Sequence, residues 1–385
     1  MVSRLARPLA PTSASNLAPP TSDGTAPRVL VLLPGYHVSR RPDAAADDGP
    51  LPDYLPLCAA LRADVADYAA VAATRHPLVW LAGWVGMDAQ IAAYAFLHRR
   101  HYDVMFSYTD SISLPLAALF ALIWRRPKHV VTAHSIGSGR RGRLLRWVHP
   151  WIDTVVLYSP HVRDVCRERI GVPAAKLRLC TFQADSRYFA PLADTQRRRQ
   201  ICIVGLERRD FATLIEAVSD LDVDVRLTAF SPMSKEGDAT KAMALPPNVT
   251  VKRYAYSELR RLYAESRCLV LPLFENQYAA GITALYEAMA MGCPAIVSRT
   301  SGLEGVIQDG VTAVFVPPGD AQALRGAITT LLADPEKAEQ IGRNGRHVID
   351  SHINLDAWVQ EMVSVVHAVS SDAGHARVTA QLPVA

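Results

Sequence analysis

Residues 278–298 read YAAGITALYEAMAMGCPAIVS: a glycine-containing loop, one helix and one buried strand. The helix carries a single acid, Glu287, among alanines, methionines and a leucine. Acids are rarely buried unless paired or liganded. Glu287 therefore lies on an exposed stripe, pairs with a nearby Arg, or binds a ligand. The residues before it favour the last reading. Ala280, Gly281, Ile282 and Thr283 open the helix, where backbone N–H groups lack internal partners and the dipole favours negative charge. Gly281 permits close approach and Thr283 adds a hydroxyl, so a diphosphate fits there. Glu287 follows one turn later on the same face. An acid at that place can accept hydrogen bonds from ribose hydroxyls, as in other α/β nucleotide sites.

Upstream, residues 201–210 read ICIVGLERRD. An apolar strand ends in Gly205, and Glu207, Arg208, Arg209 and Asp210 lead into a helix. An arginine at a strand's carboxyl end suits a phosphate oxygen, and the glycine lets a ligand reach the backbone. Two solvated arginines are the alternative. Strands and helices alternate from there: 211–218 helix, 223–229 strand, 249–253 strand, 257–266 helix, 268–273 strand. After the opening helix come strands at 295–298 and 312–316, helices at 321–333 and 336–351, and a closing helix at 355–369.

The same alternation runs earlier. Residues 28–34, RVLVLLP, form a near-continuous apolar run, the mark of a central parallel strand. Pro34-Gly35-Tyr36 break it, placing Gly35 where open α/β sheets bind ligands. Helices follow at 55–68, 88–100, 112–124, 140–151 and 161–169, and strands at 103–107, 129–133, 154–158 and 177–182. The strand at 129–133 ends at His134. The polar run ADTQRRRQ, residues 193–200, breaks the pattern. The expected fold is α/β, two Rossmann-like domains facing across a cleft. They are assigned to residues 28–192 and 193–354. A disordered leader spans 1–27, a closing helix at 355–370 packs back toward the first domain, and a tail spans 371–385. The cleft is the default ligand site.

Composition narrows the classes. Of 385 residues, 50% are hydrophobic and 20% charged, which supplies full cores. The net charge of +4 comes without a block of like charge, so no nucleic-acid arm is expected. The six cysteines include no C-x-x-C pair and fit free thiols in a reducing compartment. The leader has no secretory pattern, and the apolar run at 114–124 is too short to span a bilayer. A cytoplasmic protein is expected. There is no His/Cys ligand spacing and no DxD on a strand end, so no metal site is assigned. The chain lacks G-x-x-x-x-G-K-[ST] and G-x-G-x-x-G, against an NTPase or a typical dehydrogenase. From Gly139 to Ile152 the sequence GRRGRLLRWVHPWI is basic, aromatic and amphipathic. It either packs on the sheet as a surface helix or touches an anionic membrane peripherally.

Four segments of the second half, in order, carry a resemblance: VGLERRDFATLIEAV, NVTVKRYAYSELRRLYAESRCLVLP, GITALYEAMAMGCPAIVS and SGLEGVIQDGVTAVFVPPGD. The second half resembles the nucleotide-sugar domain of the retaining GT-B glycosyltransferases of family 4. The first half is similar at Thr132–Ser135, Leu157–Pro160 and Phe189–Pro191. The resemblance implies sugar transfer from an NDP-sugar, UDP- or GDP-linked, to an acceptor hydroxyl, with no other cofactor. The acceptor is unknown, and glycan, glycolipid or polysaccharide assembly is the implied setting. Glu287 would hold the ribose, and His134 would form the floor of the sugar site. Arg253 and Tyr254 would contact the base. Arg208, Arg209 and the Gly281–Thr283 amides would stabilise the departing diphosphate. Front-face attack, with the leaving phosphate deprotonating the acceptor, would follow.

The sequence departs from the family at Ala279, where the first acid of a glutamate pair is expected. Glu275 could replace it from a displaced loop, or the Ala280 and Gly281 amides could contact the sugar without an acid. No Lys follows Arg208 and Arg209, and Gly305 stands where a glutamate is expected, with Glu304 one place early. A nucleotide-sugar binder without transfer activity, or another GT-B enzyme such as an epimerase, are the alternatives.

Overall fold

Short runs of Val, Ile and Leu with no polar alternation form stable strands when helices cover both faces of a sheet. Most of the twelve strands are such runs in the computed structural model, which describes residues 26–37, 49–134, 139–193, 195–230 and 237–371. Most of the expected leader, nearly all of the tail, and Ser135 lie outside the described residues.

The first half runs β1 (Val29–Leu32), α1 (Tyr54–Leu61), β2 (Asp64–Ala66), α2 (Tyr68–Ala72), α3 (Pro77–Ala82) and α4 (Met87–His98). It continues with β3 (Val104–Ser107), α5 (Asp110–Phe120), β4 (Lys128–Ala133), α6 (Arg140–Val148), β5 (Thr154–Leu157), α7 (Pro160–Asp164) and β6 (Leu177–Leu179). The sheet order is β2-β1-β3-β4-β5-β6, all parallel, with Leu30 opposite Met105.

The second half runs β7 (Gln200–Val204), α8 (Phe211–Val218), β8 (Asp224–Thr228), β9 (Val249–Val251), α9 (Tyr256–Glu265) and β10 (Cys268–Leu271). Then come α10 (Ile282–Ala290), β11 (Ala295–Ser298), β12 (Val314–Val316), α11 (Ala321–Ala333), α12 (Pro335–His352) and α13 (Leu355–Ser370). Its order is β12-β11-β10-β7-β8-β9, also parallel. Each sheet reverses direction beside its first strand: between β1 and β3, and between β7 and β10. Such switch points open a crevice at the strands' carboxyl ends. Gly35 follows β1 and Gly205 follows β7, so the α/β expectation with two Rossmann-like halves holds.

One expectation fails locally. The helix read at 55–68 stops at Leu61, and residues 64–66 are a strand. Arg62 takes a left-handed φ of 48°, and the Ala63 N–H closes onto the Cys58 carbonyl at 2.9 Å. The apolar spacing of Leu57, Leu61 and Val65 suits a helix, but Asp64 pairs with Leu30 across the sheet. Tertiary pairing overrides the local period.

α13 lies on the first sheet. Trp358, Met362 and Val366 are buried in one cluster with Val29, Val31, Leu57 and Val130. Each such side chain contributes roughly 1.5–3 kcal/mol of burial. The chain thus crosses back, and the last helix belongs to the first core. The halves also meet directly: Tyr278 packs against the core of α5, α6 and β5, and Pro160 lies beside Gly305.

Candidate active site

The centre of the site is Arg209. It is buried, and its guanidinium folds back over the end of β7. Nε and Nη2 donate to the Val204 carbonyl at 3.1 and 2.7 Å, and Nη1 donates to the Glu207 carbonyl at 2.9 Å. Two glycines make room for it. A Cβ on Gly205 would sit 2.6 Å from Nη2, and one on Gly281 would sit 3.2 Å from Nη1. Both glycines have left-handed φ, 96° and 83°. Either side chain would meet the guanidinium and strain the turn. The plane of Arg209 therefore joins the carboxyl end of the switch strand to the start of α10.

That helix start is open. Gly281 is its N-cap and no side chain caps it. The Ala280 and Ile282 amides close turns onto the Tyr278 and Ala279 carbonyls at 2.7 and 3.2 Å. Of the four residues read as amide donors, these two use theirs inside the loop. Thr283 is exposed at the first turn. The dipole and the guanidinium then bear on one spot, the arrangement an anion needs.

Glu287 lies one turn deeper and is buried, not on an exposed stripe. Its Oε2 accepts a hydrogen bond from the buried Tyr263 hydroxyl at 2.9 Å. Burial among apolar side chains pushes its carboxyl up to about 7, and the Tyr263 bond offsets this in part. On the same side, Arg253 stacks over Phe230 at 3.7 Å, and Tyr254 is half-buried. Burial raises the Tyr256 phenol, and the nearby Glu287 charge adds to this.

The two acids around Ala279 are held differently. Glu275 is exposed, and its Oε1 accepts the Ser301 N–H at 3.0 Å. Its carbonyl accepts from Arg208 Nη2 at 2.8 Å, and Arg208 itself has a left-handed φ of 57°. Glu207, two residues before Arg209, accepts the Tyr278 hydroxyl at 2.6 Å. Glu207 was visible in the sequence merely as one of four charged residues in a loop. Its partner lies 71 residues away, and no local signal links them.

Gly35 and His134 end strands of the other sheet. Gly35 has a φ of 108°, and its carbonyl accepts the Tyr68 N–H at 2.9 Å. His134 stacks on Tyr158 with centroids 5.2 Å apart and meets the Phe182 edge at 6.3 Å. The residue is exposed, with Tyr158 and Phe182 against its ring. Desolvation lowers its pKa, opposed by Asp110 and a hydrogen bond with the Tyr108 backbone, which favours the neutral ring. The structure thus joins Gly205, Arg209 and Gly281 directly. It sets Glu287 one turn away and leaves Gly35 and His134 on the opposite half. Among the described residues, no three His, Cys, Asp or Glu side chains are grouped to hold a metal.

Comparison with known proteins follows this division. The model for Family 4 glycosyltransferases matches residues 41–180, and the model for Glycosyl transferases group 1 matches residues 192–348. Sulfoquinovosyl transferase SQD2 of Arabidopsis thaliana is 24% identical over 226 residues, 54% of this chain and 43% of that protein. The chain spans 43%, 60% and 64% of the length of three curated relatives it matches. Among solved structures, sucrose-phosphate synthase from Thermosynechococcus elongatus superposes with a TM-score of 0.69 at 19% identity, covering 90% of this chain and 100% of the other. Anabaena HepE, solved with UDP-glucose, superposes with a TM-score of 0.64 at 14% identity, covering 89% and 100%. These structures share the two-sheet fold. With one family model on each half and that fold across both, the chain belongs to the GT-B glycosyltransferases of family 4, glycosyl transferases group 1.

Proposed function

We propose that the protein transfers a sugar, with retention, from a UDP- or GDP-linked donor to an acceptor hydroxyl. The observation that carries this is Arg209, clamped between Gly205 and Gly281 at an uncapped helix start one turn from Glu287. A diphosphate between Arg209 and α10, with its ribose at Glu287, uses each of these features. The UDP-glucose bound to HepE supports a donor of that class. Charge builds on the diphosphate as the anomeric bond breaks. Arg208, Arg209 and the Gly281 and Thr283 amides are fixed donors that favour that state over the ground state. The leaving phosphate, on the same face as the acceptor, takes its proton. These groups supply the positive charge from the protein itself, which favours a reaction without a metal.

The sugar lies between Arg209 and His134. His134, neutral, offers a hydrogen bond at its floor. Two carboxylates flank the gap at Ala279. Glu275 is engaged at Ser301, whereas Glu207 stands beside Arg209 and is aimed by Tyr278, so Glu207 is the better-placed acid. Arg253, Tyr254 and Gly35 complete the donor contacts. The acceptor is lipid-linked, and the site of action is the cytoplasmic face of a membrane. Six free thiols fit a reducing compartment, and α6 supports membrane contact. On α6, Leu145 and Val148 pack on the sheet while Leu144 and Trp147 stand exposed among arginines. No helix among the described residues is long and apolar enough to cross a membrane. A donor panel with detection of released nucleotide tests the transfer. Release of UDP or GDP that depends on an added acceptor is expected; tight binding without release for every acceptor would favour an inactive binder.

A further inference from the structure

A second apolar surface lies on the first half, on the same side of the sheet as the basic stretch at 139–152. α3 and the turn after it expose Trp80, Leu81, Trp84 and Val85, at 64%, 50%, 80% and 82%. The rings of Trp80 and Trp84 meet edge to face at 5.8 Å, so the pair is ordered while open to solvent. Trp124 follows α5 and is fully exposed, and Trp147 on α6 is 78% exposed. Five of the chain's six tryptophans fall within residues 80–151, and four of these five are exposed. Large apolar side chains left open in a group mark a docking face.

These elements cover one side of the sheet. The β1-to-β2 connection runs one way across it, and the connections to β3, β4 and β5 run the other. Right-handed crossovers then place α4, α5 and α6 together, opposite α1, with α3 packed on α4. Charge is concentrated here as well. Residues 68–152 hold ten Lys and Arg against three Asp and Glu, whereas the rest of the chain holds 31 against 34. Part of this charge is offset: Arg141 pairs with Asp110, and Arg126 and Lys128 pair with Asp153 just past the range, which leaves the other arginines to set the sign of the face. Asp88 accepts the Tyr68 hydroxyl at 2.7 Å, Asp103 is bound by Arg28, and Asp110 is buried against Arg141. Arg75, Arg100, Arg125, Arg140 and Arg143 are exposed.

We propose that α3 through α6 form a docking face for an anionic lipid bilayer, with Trp80 and Trp84 seated among the headgroups. This rests on the lipid-linked acceptor proposed above. Tryptophan, apolar in body with one N–H donor, suits the membrane interface, and the arginines match anionic headgroups. A second copy of this chain would bring two positive faces together, which argues against self-association. The position also serves the reaction. Tyr36, next to Gly35 at the end of β1, meets the Tyr68 ring at 5.5 Å, and Tyr68 binds Asp88 in the first turn of α4. Asp88 follows Val85 by three residues. The tryptophan turn therefore sits at the cleft edge of the first sheet, where a lipid's headgroup would enter beside Gly35.

The test is co-sedimentation of the full chain with vesicles of phosphatidylcholine alone or mixed with phosphatidylglycerol. Wild type should partition onto the anionic vesicles, weakly onto the neutral ones, and less as salt rises. Trp80→Ala/Trp84→Ala should lower the anionic partition at least tenfold while UDP- and GDP-sugar binding is retained, which shows that the variant is folded. If the double variant partitions like wild type while Arg140→Ala/Arg143→Ala does not, contact through α6 stands and the α3 docking face is wrong. If wild type ignores anionic vesicles, both membrane readings fall. Concentration-dependent dimers that the tryptophan variant abolishes, without vesicle binding, would make a second copy the occupant and overturn the proposal.

Discussion

The buried Glu287 carboxyl makes nucleotide-sugar binding depend on pH in a way that can be calculated. In the free protein its pKa is pushed up to about 7 by burial. Ribose hydroxyls donating to it stabilise the anion and return its pKa toward an ordinary carboxylate value. Binding then requires the ionised form. At pH 8 about nine-tenths of the free protein is ionised there, and at pH 5.5 roughly 3% is. Affinity for a UDP- or GDP-sugar should fall about 30-fold between those pH values, about 2 kcal/mol. A nucleotide-sugar is the right probe because its diphosphate is esterified at both ends and does not titrate in that range. Glu287→Gln keeps an acceptor for Tyr263 but removes the titration. Titration calorimetry should show the variant weaker by roughly 10- to 100-fold at pH 8, with a flat pH profile. Stability should move oppositely. An acid whose folded pKa is raised costs nothing below its unfolded pKa near 4.5, and costs fully above about 7. The variant should be more stable than wild type by up to about 3 kcal/mol at pH 8, the gain shrinking toward pH 5. A wild-type affinity that does not change with pH, or an unchanged slope in Glu287→Gln, would refute the ribose assignment.

Arg209→Ala leaves the Val204 and Glu207 carbonyls without their donor, so a loss of about 3 kcal/mol in denaturant unfolding and at least tenfold in donor affinity is expected. Arg209→Lys should recover part of the stability, while the affinity stays low for want of the planar fork. Tyr278→Phe frees Glu207 and should lower transfer about tenfold with donor affinity unchanged, whereas Glu275→Gln, exposed and still able to accept from Ser301, should leave transfer near wild type. If the Glu275 variant alone loses transfer, Glu275 is the acid at the sugar.

The strand and helix series was legible because each element is local. Phe211–Val218, Ala295–Ser298 and Ala321–Ala333 form as their own apolar periods dictate. Left-handed glycines at the ends of elements are legible for a similar reason, since Gly205 closes an apolar strand run and Gly281 opens a helix. The lone acid in the 278–298 helix also drew attention by itself, because its neighbours are apolar. Chemistry that depends on one residue meeting another far along the chain was not legible. The strand at 64–66 exists because β1 lies beside it, against its own helical period. The depth of Glu287 and its bond to Tyr263 come from packing α10 under α9, and the same packing sets its pKa. Glu207 meets Tyr278 because the switch between β7 and β10 brings two loops together. Sequence determined the elements and the residue types able to bind a nucleotide-sugar. Tertiary structure decided which of their groups face inward together, because burial and hydrogen bonding across loops depend on distances in space that spacing along the chain does not record.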